Sequence, residues 1–85
     1  STHTVYTNYK LCTIKIEVHS PDGTKLVSYC PMVNSSYNSV DYPLTGLLDR
    51  ERIAPYANGK NTLHIYAQLA NGELLEAYSG LLVME

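Results

Sequence analysis

The sequence begins to specify its fold at residues 12–30, which read CTIKIEVHSPDGTKLVSYC. Residues 12–18 alternate strictly between an apolar and a polar side chain, which is typical of a strand with one buried face. The Pro-Asp-Gly sequence at 21–23 supplies the fixed φ of proline and the positive φ of glycine that a chain reversal requires. Residues 25–33 read as the returning strand. We therefore predict a β-hairpin.

Two cysteines, Cys12 and Cys30, frame this hairpin in a chain of 85 residues. Neither cysteine belongs to a CxxC motif or a Cys/His cluster that would bind a metal, so a disulfide between them is the favoured interpretation. The bond would contribute roughly 3 kcal/mol to a chain whose core is too small to supply much more by itself. Two reduced, buried thiols in a cytosolic protein are the alternative. A turn centred on Asp22-Gly23 does not place the cysteines opposite each other, so the bond requires a bulge, a wider loop or a twist of the strand ends.

After this hairpin the spacing of the apolar residues changes from alternation to a helical repeat. Leu44, Leu47 and Leu48 fall at helical spacing, and Pro55 prevents continuation, so we predict one helix over residues 43–53. The charged run at 49–52 is most simply its solvated face, with a subunit contact as the rival interpretation.

A second hairpin is predicted near the end of the chain. Residues 61–69 alternate again, and Asn71-Gly72 is the strongest short signal for a two-residue type I′ turn. The partner strand is expected over residues 73–83, with Gly80 as a bulge or bend. A further short strand is expected at residues 4–10.

These elements give a single domain over residues 1–85, mostly β with one helix, in the order β-β-β-α-β-β. That is the order of the OB-fold, a five-stranded barrel that binds oligosaccharides or oligonucleotides. A small barrel is filled by its own side chains, so we expect a ligand to bind on the surface and loops.

The composition narrows the choice of partner. The formal net charge is −2 and the basic residues are scattered, which disfavours nucleic acid because phosphate binding needs a basic patch. Eight tyrosines, with no Phe or Trp, suit polar interfaces and sugar binding, although half-buried strand positions favour Tyr equally. No apolar run is long enough to cross a bilayer. The start at Ser1, without Met, is typical of a processed form or of an expressed fragment, so any export signal is expected to have been removed.

The sequence does not favour catalysis. His3, His19 and His64 lack metal-ligand spacing, and an ordinary exposed position is the simplest interpretation of each. No Ser or Cys lies in a recognisable nucleophile motif. We therefore predict no enzymatic activity, no metal and no cofactor.

Several stretches resemble the B subunits of pertussis-like AB5 toxins, the group that includes the subtilase-cytotoxin and typhoid-toxin binding subunits. The resemblance covers about residues 12–84 and is carried by Cys12-Thr13-Ile14-Lys15 with Gly23-Thr24-Lys25-Leu26-Val27-Ser28-Tyr29-Cys30, Leu47-Leu48-Asp49-Arg50-Glu51-Arg52, Asn58-Gly59 leading into Leu63-His64-Ile65-Tyr66-Ala67-Gln68, and Leu81-Leu82-Val83-Met84. The chain departs from the family in its short segment before Cys12 and in having no cysteine after Cys30.

The resemblance implies a function. Such a subunit is secreted, through the periplasm in a bacterium, forms a homo-pentamer, binds cell-surface glycans including sialylated ones, and carries a toxin A subunit. The glycan-binding residues expected from it, together with the tyrosine-rich tract, are Tyr6, Thr7, Asn8, Tyr9, Lys15 and Thr24. Two alternatives are a monomeric secreted β-rich protein-interaction module and a nucleic-acid-binding OB domain.

Overall fold

The computed structural model describes residues 11–31 and 48–84. These residues form four strands and two short helical segments, which confirms the prediction of a mostly β chain with one helix. The elements are β1 (Leu11–His19), β2 (Lys25–Tyr29), α1 (Arg50–Ile53), a 3-10 turn (Ala54–Tyr56), β3 (Thr62–Leu69) and β4 (Leu74–Leu81). In these described ranges, no helix is long and apolar enough to cross a membrane.

The four strands form one antiparallel sheet in the order β2-β1-β3-β4. β1 is therefore internal, because β2 pairs with one of its edges and β3 with the other. The connection from β2 to β3 crosses from one side of β1 to its opposite side. The sheet is not closed into a barrel, so the predicted five-stranded OB-fold is not confirmed, and the strand expected at residues 4–10 lies outside the described residues.

One face of the sheet forms the hydrophobic core. The predicted alternation of β1 is confirmed on this face, where Ile14, Ile16 and Val18 are fully buried. β3 adds the buried residues Leu63 and Ile65. Burying an aliphatic side chain of this size contributes about 1.5–3 kcal/mol. This small cluster is completed from outside the sheet by Ile53 of α1 and by Leu82, with Leu26, Val27, Tyr29, Leu48, Tyr56, Ala57, Tyr78 and Met84 packed around it.

The described helix is shorter than the helix predicted over residues 43–53, of which 43–47 lie outside the described residues. Asp49 caps it by accepting a hydrogen bond from the Arg52 amide. The Asp49 amide donates to the Tyr29 hydroxyl at 2.8 Å, and the Arg52 guanidinium lies 4.8 Å from the centre of the Tyr29 ring. These contacts attach α1 to β2. The charged run at 49–52 is exposed, as a solvated face requires.

Both hairpins use the same three-residue turn. In the first, the Gly23 amide donates to the Ser20 carbonyl at 2.9 Å, and Gly23 has φ of +89°. In the second, the Gly72 amide donates to the Leu69 carbonyl at 2.9 Å, and Gly72 has φ of +87°. This is a type I turn followed by a left-handed glycine. In the first hairpin a register shift also lies near the turn, between Val18 and His19.

The second hairpin thus corrects two details of the sequence prediction. A type I′ turn needs positive φ at both central residues, but Asn71 is not among the residues with positive φ. The irregularity expected at Gly80 lies instead between Ile65 and Tyr66, opposite Ala77. Gly80 remains paired in β4, where a Cβ would lie 2.7 Å from the Tyr78 hydroxyl. Gly80 therefore leaves room for the Tyr78 ring.

The register of the first hairpin bears on the predicted disulfide. Ile16 pairs with Tyr29, so continuing the ladder would put residue 30 opposite residue 15 rather than residue 12. The pairing of β1 with β3 also shifts between Leu11 and Thr13, which places a bulge at Cys12. Cys30 is exposed and forms no disulfide with any described side chain, and the Cys12 side chain lies outside the described residues. The Cys12–Cys30 bond therefore stays a prediction.

Substitution of Gly72 tests the turn geometry. Gly72→Ala should lower the free energy of unfolding by about 1–2 kcal/mol, because a Cβ disfavours the left-handed conformation. Gly72→Asn should cost less, since Asn tolerates this conformation better than other residues. Urea denaturation of the two variants checks the prediction. Equal losses for Ala and Asn would contradict it.

Candidate functional site

The second face of the sheet is lined by polar and aromatic side chains rather than by an ordinary solvated surface. β1 and β3 contribute to it through cross-strand neighbours, with Lys15 opposite Tyr66, Glu17 opposite His64 and His19 opposite Thr62. Such pairs place side chains about 4.5–5.5 Å apart at Cβ. We define the polar face as the residues Lys15, Glu17, His19, Lys25, Ser28, Thr62, His64, Tyr66 and Glu76.

Glu17 is the buried centre of the polar face. It is 2% exposed although it lies at an outward position of the strand pattern. Its Oε1 lies 2.8 Å from Nε2 of His19, and its Oε2 lies 3.3 Å from Nζ of Lys25 and 3.5 Å from Nζ of Lys15. The Ser28 hydroxyl also donates to Oε2 at 3.3 Å. The buried carboxylate is thus compensated on both oxygens, as its burial requires.

The surroundings of Glu17 determine its protonation. Burial alone would raise its pKa, because desolvation disfavours the charged form. The hydrogen bond from His19 and the positive charges of Lys25 and Lys15 outweigh burial and lower the pKa below its ordinary value. Glu17 is therefore ionised at neutral pH and holds three basic side chains from β1 and β2 around it.

A pair of stacked imidazole rings adjoins Glu17. The rings of His19 and His64 lie 4.1 Å apart between centroids, with 30° between their planes. Nδ1 of His64 lies 2.6 Å from Oε1 of Glu76, and Nε2 lies 3.0 Å from the Thr62 hydroxyl. The row Glu17, His19, His64, Glu76 therefore crosses β1, β3 and β4. His19 and His64 are only 17% and 18% exposed, so the interpretation of both as ordinary exposed strand residues is wrong.

The Tyr66 ring continues the row of His19 and His64 rings on the side of Lys15. Its ring is nearly parallel to that of His64, with centroids 6.1 Å apart. Burial, followed by the nearby charges of Glu17 and Glu76, raises the pKa of the phenol, so the hydroxyl remains protonated and able to donate. Lys15, which is 26% exposed, lies beside this ring on the neighbouring strand. The strand positions that carry an aromatic phenol and a lysine are thus directly paired at one end of the polar face, and the Lys15 ammonium contacts Glu17.

This arrangement has the chemistry of a binding surface. It offers hydrogen-bond donors and acceptors, a cation and aromatic rings to a polar ligand. Over residues 11–31 and 48–84, no group of three or more His, Cys, Asp or Glu side chains could hold a metal ion.

The two predicted glycan-binding residues that lie in the described ranges are far apart. Lys15 lies on the polar face, whereas Thr24 lies in the exposed turn between β1 and β2, where its amide donates to the Asp22 carboxylate at 2.9 Å. Five residues of strand separate Lys15 from the position opposite Thr24, so the two lie on the order of 17 Å apart. Tyr6, Thr7, Asn8 and Tyr9 lie outside the described residues.

Nothing in the sequence alone shows that Glu17, His19, His64 and Glu76 form a cluster. The alternation in β1 and β3 places 15, 17, 64 and 66 on the outward face, so part of the signal is present. The missing information is the register between two strands that are distant in sequence. Only the pairing of Glu17 with His64 brings the separate outward residues together.

Comparison of the chain with protein-family models, with curated proteins and with solved structures found no match. The polar face and the sheet order are therefore the structural features of the described residues that bear on function.

The role of Glu17 gives a stability prediction with a defined pH dependence. A carboxylate whose pKa is lowered in the folded state contributes stability that is present above its unfolded pKa and is lost as the pH falls. Glu17→Gln should therefore lower the free energy of unfolding by about 1–2 kcal/mol at neutral pH. The difference from the unsubstituted protein should start to shrink as the pH falls below about 4.5, where Glu17 of the unfolded chain takes up a proton, and should vanish only after the folded-state carboxyl group is also protonated.

Urea denaturation at several pH values measures this difference. Glu73→Gln is the matched control, because Glu73 lies in the exposed turn between β3 and β4. The control should change the stability little at any pH. A Glu17→Gln loss that stays constant down to pH values well below 4.5 would show that the ionised carboxylate is not the stabilising form.

Proposed function

We propose that this chain is the glycan-binding B subunit of a secreted bacterial AB5-type toxin, and that Lys15 and Tyr66 on the polar face contact the sugar. The observation that carries the binding role is the direct cross-strand pairing of Lys15 with Tyr66 beside a buried carboxylate. The type of subunit comes from the family resemblance.

The Lys15–Tyr66 pair meets the main requirements of sugar recognition. A tyrosine ring packs against the apolar side of a sugar, and its hydroxyl exchanges hydrogen bonds with ring substituents. An ammonium group forms a charge-assisted hydrogen bond with the carboxylate of an acidic sugar. Glu17 holds Lys15 in place through the 3.5 Å ion pair, which reduces the side-chain freedom that binding must remove. These features favour a carboxylate-bearing glycan such as a sialylated one.

The sheet order is compatible with the proposed barrel. In the described sheet, β2 and β4 each have one neighbouring strand, and the long connection carries the chain from β2 across β1 to β3. A fifth strand pairing with the free edges of β2 and β4 would close a small Greek-key barrel of the OB type. The core face of the sheet would then be its interior and the polar face its outer surface.

The proposed pentamer would compensate for two weaknesses of the isolated chain. The core is small, and the large apolar residues Leu81 and Val83 are exposed at the end of β4. Contacts between copies would cover such surface and protect strand edges from uncontrolled association. A ring also presents several weak sugar sites together, which raises the overall avidity.

Substitution of Lys15 tests the proposed site. Lys15→Met should weaken binding of 3′-sialyllactose by about tenfold, because a charge-assisted hydrogen bond of about 1.5 kcal/mol is lost. Lys60→Met is the matched control, since Lys60 is exposed and lies outside the polar face. Isothermal titration calorimetry measures both variants. Equal affinities for Lys15→Met and Lys60→Met would remove Lys15 from the site.

Light scattering tests the ring. A pentamer should scatter as a particle of about five times the 9.5 kDa of the single chain at micromolar concentration. A particle of about the 9.5 kDa of the single chain would instead favour the monomeric protein-interaction module. The measurement separates the two architectures without knowledge of the sugar.

A further inference from the structure

Two lysines from different strands converge on one oxygen of Glu17. Lys15 lies one outward position before Glu17 on β1, and Lys25 of β2 pairs with His19, one outward position after it. Their ammonium nitrogens lie 3.5 and 3.3 Å from Oε2 of Glu17. Because both contacts are to the same atom, the two nitrogens cannot be farther apart than these two distances placed end to end. Two positive groups from neighbouring strands are therefore close together on the polar face.

Glu17 uses only part of the bonding capacity of these lysines. An ammonium group carries three N–H donors, and Oε2 takes at most one from each lysine. Within residues 11–31 and 48–84, Glu17 is the only charged partner of either side chain. Lys15 and Lys25 are 26% and 59% exposed, whereas Glu17 is 2% exposed. A ligand that approaches this part of the polar face therefore meets the free N–H donors rather than the carboxylate.

The charges at this point of the polar face favour an anion. Two ammonium groups stand against the single carboxylate of Glu17, which is ionised at neutral pH. The other carboxylate of the polar face, Glu76, lies on β4 and contacts His64. β3 separates β4 from β1, so the Glu76 backbone lies roughly 10 Å from β1. An anionic group that lies over Glu17 is therefore attracted more strongly than it is repelled.

We propose that Lys25 is a second cation of the ligand site and binds the anionic group of an acidic sugar jointly with Lys15. The sugar part of this inference rests on the proposed function, whereas the two-lysine anion site does not. An anion that accepts one charge-assisted hydrogen bond of about 2.8 Å from each ammonium bridges the gap between the nitrogens, because its own oxygens add to the span. Carboxylate and sulfate ester groups both offer an oxygen to each lysine. The ligand class is therefore a glycan that carries one of these groups.

The second lysine gives the site an orientation. A single ammonium group acts as a point charge, so it attracts an anion without fixing the direction in which the rest of the ligand extends. Lys25 holds the anion from β2 and Lys15 holds it from β1. Lys15 is paired with Tyr66 on the next strand, so a sugar ring attached to the anion extends toward β3 and the tyrosine.

Titration of the intact chain with sodium sulfate tests the anion site without a sugar. The side-chain signals of the lysines are followed by nuclear magnetic resonance, with sodium chloride keeping the ionic strength constant. We expect the Lys15 and Lys25 signals to move along one saturating curve, because one anion contacts both. Lys60, which is exposed and lies outside the polar face, is the internal reference and should not saturate. A Lys25 signal that behaves like that of Lys60, or a Lys15 response unchanged in Lys25→Met, would overturn the joint site.

Calorimetric titration with acidic sugars connects the anion site to the proposed function. Lys25→Met should weaken binding of 3′-sialyllactose about threefold, less than Lys15→Met does, because the exposed Lys25 is better solvated. Binding of 3′-sulfolactose should show a similar loss. Lys25→Arg keeps the charge and should retain the binding. Lactose has no anionic group and should bind the Lys25→Met variant as it binds the unsubstituted protein, so an equal loss for lactose would give Lys25 a purely structural role.

The outcomes separate this inference from the proposed function. Loss of acidic-sugar binding in Lys15→Met but not in Lys25→Met would overturn the role of Lys25 and leave the proposed function in place. Saturable sulfate binding at both lysines, without binding of either acidic sugar, would support the two-lysine anion site and contradict the proposed function.

Discussion

The buried carboxylate of Glu17 is the interaction on which the second face of this sheet depends. A charged group that is 2% exposed persists only if its oxygens are compensated, and here the partners come from two neighbouring strands. Lys15 and His19 flank it along β1, and Lys25 and Ser28 reach it from β2. The same residue therefore neutralises the face, sets the position of Lys15 and joins the histidine pair to the lysines.

The two faces of β1 have different roles in the sheet. Ile14, Ile16 and Val18 form the centre of the core, and the alternating residues between them organise the polar face. This is possible because β1 is internal in the described sheet and β3 covers its second edge. A binding surface built on an internal strand is held by ladders on both sides, which favours the fixed geometry that recognition needs.

Local patterns in the sequence predicted most of the described fold. The alternation of Ile14 and Ile16, the glycine at position 72 and the proline at 55 each act over a few residues, so they specify strands, turns and the end of the helix. The type of the second turn was wrong because Asn71-Gly72 fits both a two-residue loop and a three-residue loop. Only the register beyond the turn distinguishes them. The OB-fold depends on long-range closure, which these patterns do not specify.

The candidate site was predictable only in part, because it is made by pairing between strands that are distant in sequence. Lys15 was selected correctly as an outward residue, but His64 and Glu17 become neighbours only through the β1–β3 register. Chemical-shift mapping with 3′-sialyllactose is the most direct test of the proposed role of this face in ligand binding. We expect perturbed amide signals at Lys15, Glu17 and Tyr66. Perturbations confined to the β1–β2 turn around Thr24, or no perturbation at saturating sugar, would contradict it.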